Sequence, residues 1–96
     1  MVITADSVPS FPRGTKYRFD AVRSVWVLLT PERAMIPDEN AQAVLGAIDG
    51  ERSVSAIVAE LAARYQAPPE VIMADVLELL GDLAGRGVIV DQAAQV

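Results

Sequence analysis

Residues 16–37, KYRFDAVRSVWVLLTPERAMIP, hold the alternations that decide the fold. From Lys16 to Ala21, Tyr17 and Phe19 point one way while Lys16, Arg18 and Asp20 point the other, the period of a half-buried strand. Val25 to Leu29, VWVLL, is a short apolar run rich in β-formers and reads as a more buried strand. The intervening Val22-Arg23-Ser24 is short enough for a hairpin turn, although it lacks the dipeptides that mark such turns most strongly. Thr30-Pro31-Glu32-Arg33 is a second turn, with Pro31 placed at its first corner. Ala34-Met35-Ile36 is then a third, very short strand, closed by Pro37.

Beyond Pro37 the period becomes helical. Asp38 caps a helix running through Gln42 to Ile48, with Ala41, Val44, Leu45 and Ile48 on one face. Asp49-Gly50 stops it. Ser53 caps the next, whose Val54, Ile57, Val58, Leu61, Ala62 and Tyr65 recur at i, i+3, i+4 spacing. Ala67-Pro68-Pro69 breaks that helix and starts the last one, which runs to about Gly85 with Pro69 as a natural first residue. Val88-Ile89-Val90 can return as a short strand. Residues 1–12, MVITADSVPSFP, have no sustained period and read as a loose arm; residues 91–96, DQAAQV, read as a flexible tail. Strands followed by helices give an α+β domain over 13–90: three short antiparallel strands packed on three helices, with a short C-terminal strand.

Composition narrows the function. The 96 residues are one domain's worth, and 52% of them are hydrophobic, as a packed globule requires. Cysteine and histidine are absent. That removes disulfides, thiolate metal sites, the cysteine nucleophile and the commonest general base and metal ligand. The serines lack a histidine partner, so no catalytic residue, metal or cofactor is expected. No signal peptide is evident, and no apolar run approaches the ~20 residues of a membrane span. A cytoplasmic protein is the expectation.

The net charge of −5 is uneven. Arg13, Lys16, Arg18, Arg23 and Arg33 outnumber the acids of residues 1–35, whereas residues 36–96 set ten acids against Arg52, Arg64 and Arg86. The helix–turn–helix around Pro68-Pro69, with a strand after it, has the outline of a winged helix. Its second helix presents Glu70, Asp75, Glu78 and Asp82, which phosphates would repel. Nucleic-acid binding is the disfavoured alternative.

Two features point to a binding module. The third strand could lie at a sheet edge and offer unpaired N–H and C=O groups to an incoming extended peptide. The last helix also carries apolar residues beyond one stripe. Ile72, Val76, Leu79 and Leu83 could face the core while Met73, Leu77 and Leu80 line a groove; the same pattern fits a helix buried on every side. A homodimer by strand or arm exchange is a further alternative, because an edge or an arm can dock equivalently on a second copy.

Several segments, in order and spacing, resemble the PqqD family. They are Pro12-Arg13-Gly14, Val25-Trp26-Val27-Leu28-Leu29, Pro31-Glu32-Arg33, Pro37-Asp38-Glu39, Ile48-Asp49-Gly50, Ser53-Val54, Ile57-Val58 and the run Asp75-Val76-Leu77-Leu79-Leu80-Leu83. They span roughly residues 11–90; each is weak alone and specific in combination. The resemblance implies a winged-helix-like, non-catalytic peptide chaperone, a precursor-peptide recognition element. It would bind the ribosomal peptide PqqA and present it to the radical S-adenosylmethionine enzyme PqqE in pyrroloquinoline quinone (PQQ) biosynthesis. Carried onto this sequence, the peptide site is Arg33, Ala34, Met35 and Ile36, with Met73, Leu77 and Leu80. The basic strand region could steer an acidic peptide segment.

Overall fold

The computed structural model describes residues 2–94. Its elements run β1 (Pro9–Ser10), β2 (Lys16–Asp20), β3 (Val25–Leu29), β4 (Ala34–Met35), α1 (Glu39–Leu45), α2 (Val54–Tyr65), α3 (Pro69–Gly85) and β5 (Val90–Asp91). β2, β3 and β4 form an antiparallel sheet in chain order, so β4 is an edge. Leu28 stands opposite Met35 and Leu29 opposite Ala34.

The β2–β3 turn works without Asn-Gly. The Asp20 carboxylate accepts the N–H groups of Val22 and Arg23 at 3.0 and 3.2 Å, and Ser24 takes the left-handed conformation at φ 58°. An aspartate side chain that folds back on its own backbone is a turn device in itself. At the other end of the sheet the Pro12-Arg13-Gly14 segment packs on the β3–β4 turn. Gly14 has φ +90°, and a Cβ there would lie 3.3 Å from the Pro31 ring. Only glycine meets both conditions without strain.

Side-chain caps start the first two helices. Asp38 accepts from the Ala41 N–H, and Ser53 from the Ala56 N–H, while α3 starts on Pro69 with no side-chain cap. Inward-facing residues of the helices meet Leu28 of the sheet in one core that includes Leu45, Ile57, Leu61, Val76, Leu80 and Ile89. Each fully buried aliphatic side chain contributes about 1.5–3 kcal/mol.

Two expectations are corrected. The stretch expected as a loose arm is docked. Ile3 joins the core, and Pro9–Ser10 pair antiparallel with Val90–Asp91. The cause lies at the N-terminus of α2, where helical geometry leaves N–H groups without partners. The Val54 N–H donates to Ser7 O at 2.8 Å and the Ser55 N–H to Ala5 O at 3.0 Å. The arm thus completes a helix end. Of the tail, Asp91 is a buried strand residue and Gln92–Ala94 form one 3-10 turn; Gln95 and Val96 lie outside the described residues. The C-terminal strand exists but begins at Val90 and pairs with β1, while Val88 and Ile89 are core residues.

Candidate peptide-binding edge

The β3–β4 hairpin closes tightly. The Thr30 N–H donates to Arg33 O at 2.9 Å, and the Arg33 N–H donates to the Thr30 hydroxyl at 3.2 Å. Antiparallel ladders alternate between pairs that exchange hydrogen bonds and pairs whose N–H and C=O groups point outward. With Thr30 and Arg33 bonded, Leu29–Ala34 is the outward pair. The Ala34 N–H and C=O therefore point away from β3 to the sheet edge, where no strand follows.

The side chains divide to match. Met35 is partly buried and packs against the core; Arg33 and Ala34 are exposed, and Ile36 is 58% exposed, an apolar side chain left open beside the edge. At the β3–β4 turn is a depression of about 380 Å³, lined by Thr15, by Thr30, Pro31, Glu32 and Arg33 of the turn, by Met35, and by Arg86, Gly87 and Val88. The residues just after α3 thus share this depression with the turn and with Met35 of β4. Arg86 pairs with Asp82 at 3.3 Å, with both side chains more than half exposed.

The helix half of the expected site is not assembled as read from sequence. Leu80 is fully buried in the core and unavailable to a ligand. The core stripe of α3 is Val76, Leu80 and Leu83, so the helix is rotated relative to the expectation that put Leu80 outward. Met73 lines a different depression, of about 530 Å³, with Val58, Ala62 and Pro69 between α2 and α3. Leu77 is partly buried against the core. Arg33 and Met35 thus line one depression with Arg86, Gly87 and Val88, residues that the sequence reading left out. The available signal was Gly85 and Gly87, which stop α3 where the chain turns back toward the hairpin.

A second surface lies on the core-facing side of the sheet, beyond the core. Tyr17 stacks on Trp26 at 4.9 Å, and Phe19 meets the Trp26 ring edge-on at 5.6 Å. Trp26 is 40% exposed, a rim residue. Partial burial raises the Tyr17 phenol above its ordinary value, which keeps it neutral across the physiological range. Glu70, Asp75, Glu78 and Asp82 of α3 are all exposed. Among the described residues no group of three or more Asp and Glu is clustered to hold a metal ion, and no helix is long and apolar enough to cross a membrane.

Residues 25–89 match the family described as coenzyme PQQ synthesis protein D (PqqD). The chain is 45% identical over 89 residues to a PqqA binding protein of Bradyrhizobium diazoefficiens, covering 93% of this chain and 86% of that one. It is also 45% identical over 86 residues to part of a bifunctional coenzyme PQQ synthesis protein C/D of Methylorubrum extorquens, covering 90% of this chain and 23% of that protein. Among solved structures, the solution structure of the PqqD truncation of Methylobacterium extorquens PqqCD, described as a stand-alone RiPP recognition element, superposes with a TM-score of 0.78. The identity there is 44%, with 93% of this chain and 95% of that one covered. The crystal structure of PqqD from Xanthomonas campestris matches with a TM-score of 0.56 at 36% identity, over 91% of this chain and 97% of that one. An antiparallel sheet with an open third strand, three helices behind it and these likenesses lead to one conclusion: the chain belongs to the PqqD family.

Proposed function

We propose that the chain is a non-catalytic peptide chaperone: it binds the precursor peptide PqqA as an added strand on β4 and presents it to the radical S-adenosylmethionine enzyme PqqE. The observation that carries this reading is the open edge of β4, with the Ala34 main chain pointing outward beside exposed Ile36. The name PqqA binding protein, borne by relatives 45% and 43% identical, gives the peptide its identity in this proposal. The Arg33–Ile36 segment forms one side of the site and Arg86–Val88 the other. The chemistry belongs to the enzyme; this domain supplies register and local concentration.

An added strand gains main-chain hydrogen bonds worth about 0.5–1.5 kcal/mol each, so affinity also needs side-chain contacts such as Ile36 and Met35. Ala34→Pro tests the edge. Proline deletes the outward N–H without removing a bond to β3, and edge strands tolerate it. Calorimetric titration of synthetic PqqA is expected to show saturable binding to the native chain, weakened about two- to tenfold by Ala34→Pro at unchanged melting temperature. Equal affinity in the two proteins would remove β4 from the site.

A further inference from the structure

Between α1, the C-terminal half of α2 and the N-terminal half of α3 is a cavity of about 170 Å³. Its floor is apolar, with Val44, Leu61 and Val76 buried and Ala43 and Ile72 half-buried. Its rim is exposed and carries the carboxylates of Glu39 and Asp75 and the ring of Tyr65. Among the described residues, neither carboxylate joins an ion pair. An engineered apolar cavity of ~150 Å³ holds a benzene-sized ligand, so the space suits a single long side chain.

We infer that this cavity receives one lysine or arginine side chain of the peptide paired with β4. The inference rests on the peptide-presenting reading above. Lysine and arginine bury an apolar stem while keeping the charged head at a polar rim, which is the division found here. The two carboxylates would repel an acidic side chain and attract a cationic one. The Tyr65 face adds an attraction for a cation. That ring already has the Arg64 guanidinium 5.9 Å from its centroid.

Continuity with the edge strand makes the peptide the donor. Only Ile36, Pro37 and Asp38 separate β4 from Glu39, the first residue of α1. Five residues from Ala34 to Glu39 span at most ~18 Å. A peptide strand on β4 therefore reaches the cavity within about five of its own residues, at ~3.3 Å per residue. The basic residue belongs that far from the position facing Ala34.

The probe is synthetic PqqA, alone and as a set in which each lysine or arginine in turn is replaced by norleucine, which keeps the stem and deletes the charge. The proteins are the native chain, the double variant Glu39→Gln/Asp75→Asn and the cavity-filling Ala43→Leu, each checked for a native melting transition. The double variant is expected to bind PqqA about tenfold more weakly. One norleucine peptide should lose a similar factor with the native chain and almost nothing further with the double variant. Ala43→Leu should weaken the parent peptide without altering charge. Native affinity in the folded double variant overturns the inference and leaves the peptide-presenting reading standing. A loss common to every norleucine peptide, in both proteins, also overturns it, because that is long-range steering and not a contact. Failure of the native chain to bind PqqA at all overturns both.

Discussion

Arg52 ties three parts of the chain together. Its guanidinium meets Asp49 at 3.1 Å, Glu60 at 2.6 Å and the Ala47 carbonyl at 2.7 Å, holding the turn after α1 against α2. Backbone N–H groups of Arg52 and Glu51, then the Arg52 guanidinium, hold the Asp49 carboxyl below its ordinary value. The Arg52 hydrogen bond does the same for Glu60. A depressed folded-state pKa means stabilisation that is fully present above the unfolded values, ~3.9 for Asp and ~4.3 for Glu, and lost as pH falls through the folded ones. Arg52→Met should therefore lower the melting temperature at neutral pH and show a shallower decline below about pH 4 than the native chain. Asp49 keeps its backbone donors in the variant, so part of the decline remains. Parallel melting curves down to about pH 2 would mean that Arg52 acts through its stem and not its charge. At this scale the sequence was a partial guide. Asp49-Gly50 was expected to stop the first helix, but α1 ends at Leu45 with Gly46 as its C-cap, and the reach of Arg52 to Glu60, eight residues on, depends on how two helices meet. Leu80 failed for a related reason: neighbouring apolar stripes on α3 are alike in composition, and only packing chooses the rotation.

The elements were more legible than their partners. β2, β3 and β4 and the three helices stand where alternation, helical period, Asp38, Ser53 and the Pro68-Pro69 break put them, with ends shifted by a few residues. β1 and the docked arm were invisible because their order is long-range. Pro9–Ser10 have no period of their own and become a strand only against residues 90–91. Asp91 joins the two ends. Its carboxylate is buried and accepts the N–H groups of Val8 at 2.9 Å and Ala93 at 3.0 Å, while the Gln92 N–H donates to Val8 O at 2.7 Å. Asp91→Ala removes two charge-assisted hydrogen bonds, to the half-buried Val8 N–H and the exposed Ala93 N–H, a loss of about 1–3 kcal/mol. Denaturant titration should show that loss, and hydrogen exchange should quicken at Val8 and, through release of the arm, at Ser55 on α2. Unchanged exchange at Ser55 would mean that the arm caps α2 independently of β5.

In the whole molecule, β4 is one of the two edges of the three-stranded sheet. The opposite edge strand, β2, presents Lys16 and Arg18, charges that discourage strand pairing there. β4 is two residues long, joined at one end to a tight turn and followed by Pro37, so it templates only a short pairing. A second copy pairing at β4 would occupy the groups proposed for the peptide, which makes self-association through that edge a competitor of the function. The arm is anchored in its own domain at both α2 and β5, so its exchange between copies would first cost those bonds. That β4 lies at a sheet edge followed from strand order. The approach of Arg86, Gly87 and Val88 to the β3–β4 turn did not, because it is set by how helix and sheet pack.

The central claim is strand addition on β4, and backbone amide shifts of isotopically labelled protein during titration with PqqA test it most directly. Strand addition predicts saturable shifts at Ala34 and Ile36, slowed exchange of the Ala34 amide in the complex, and smaller shifts along Arg86–Val88. Shifts centred instead on Met73 and the α2–α3 depression, with Ala34 unmoved and unprotected, would contradict it.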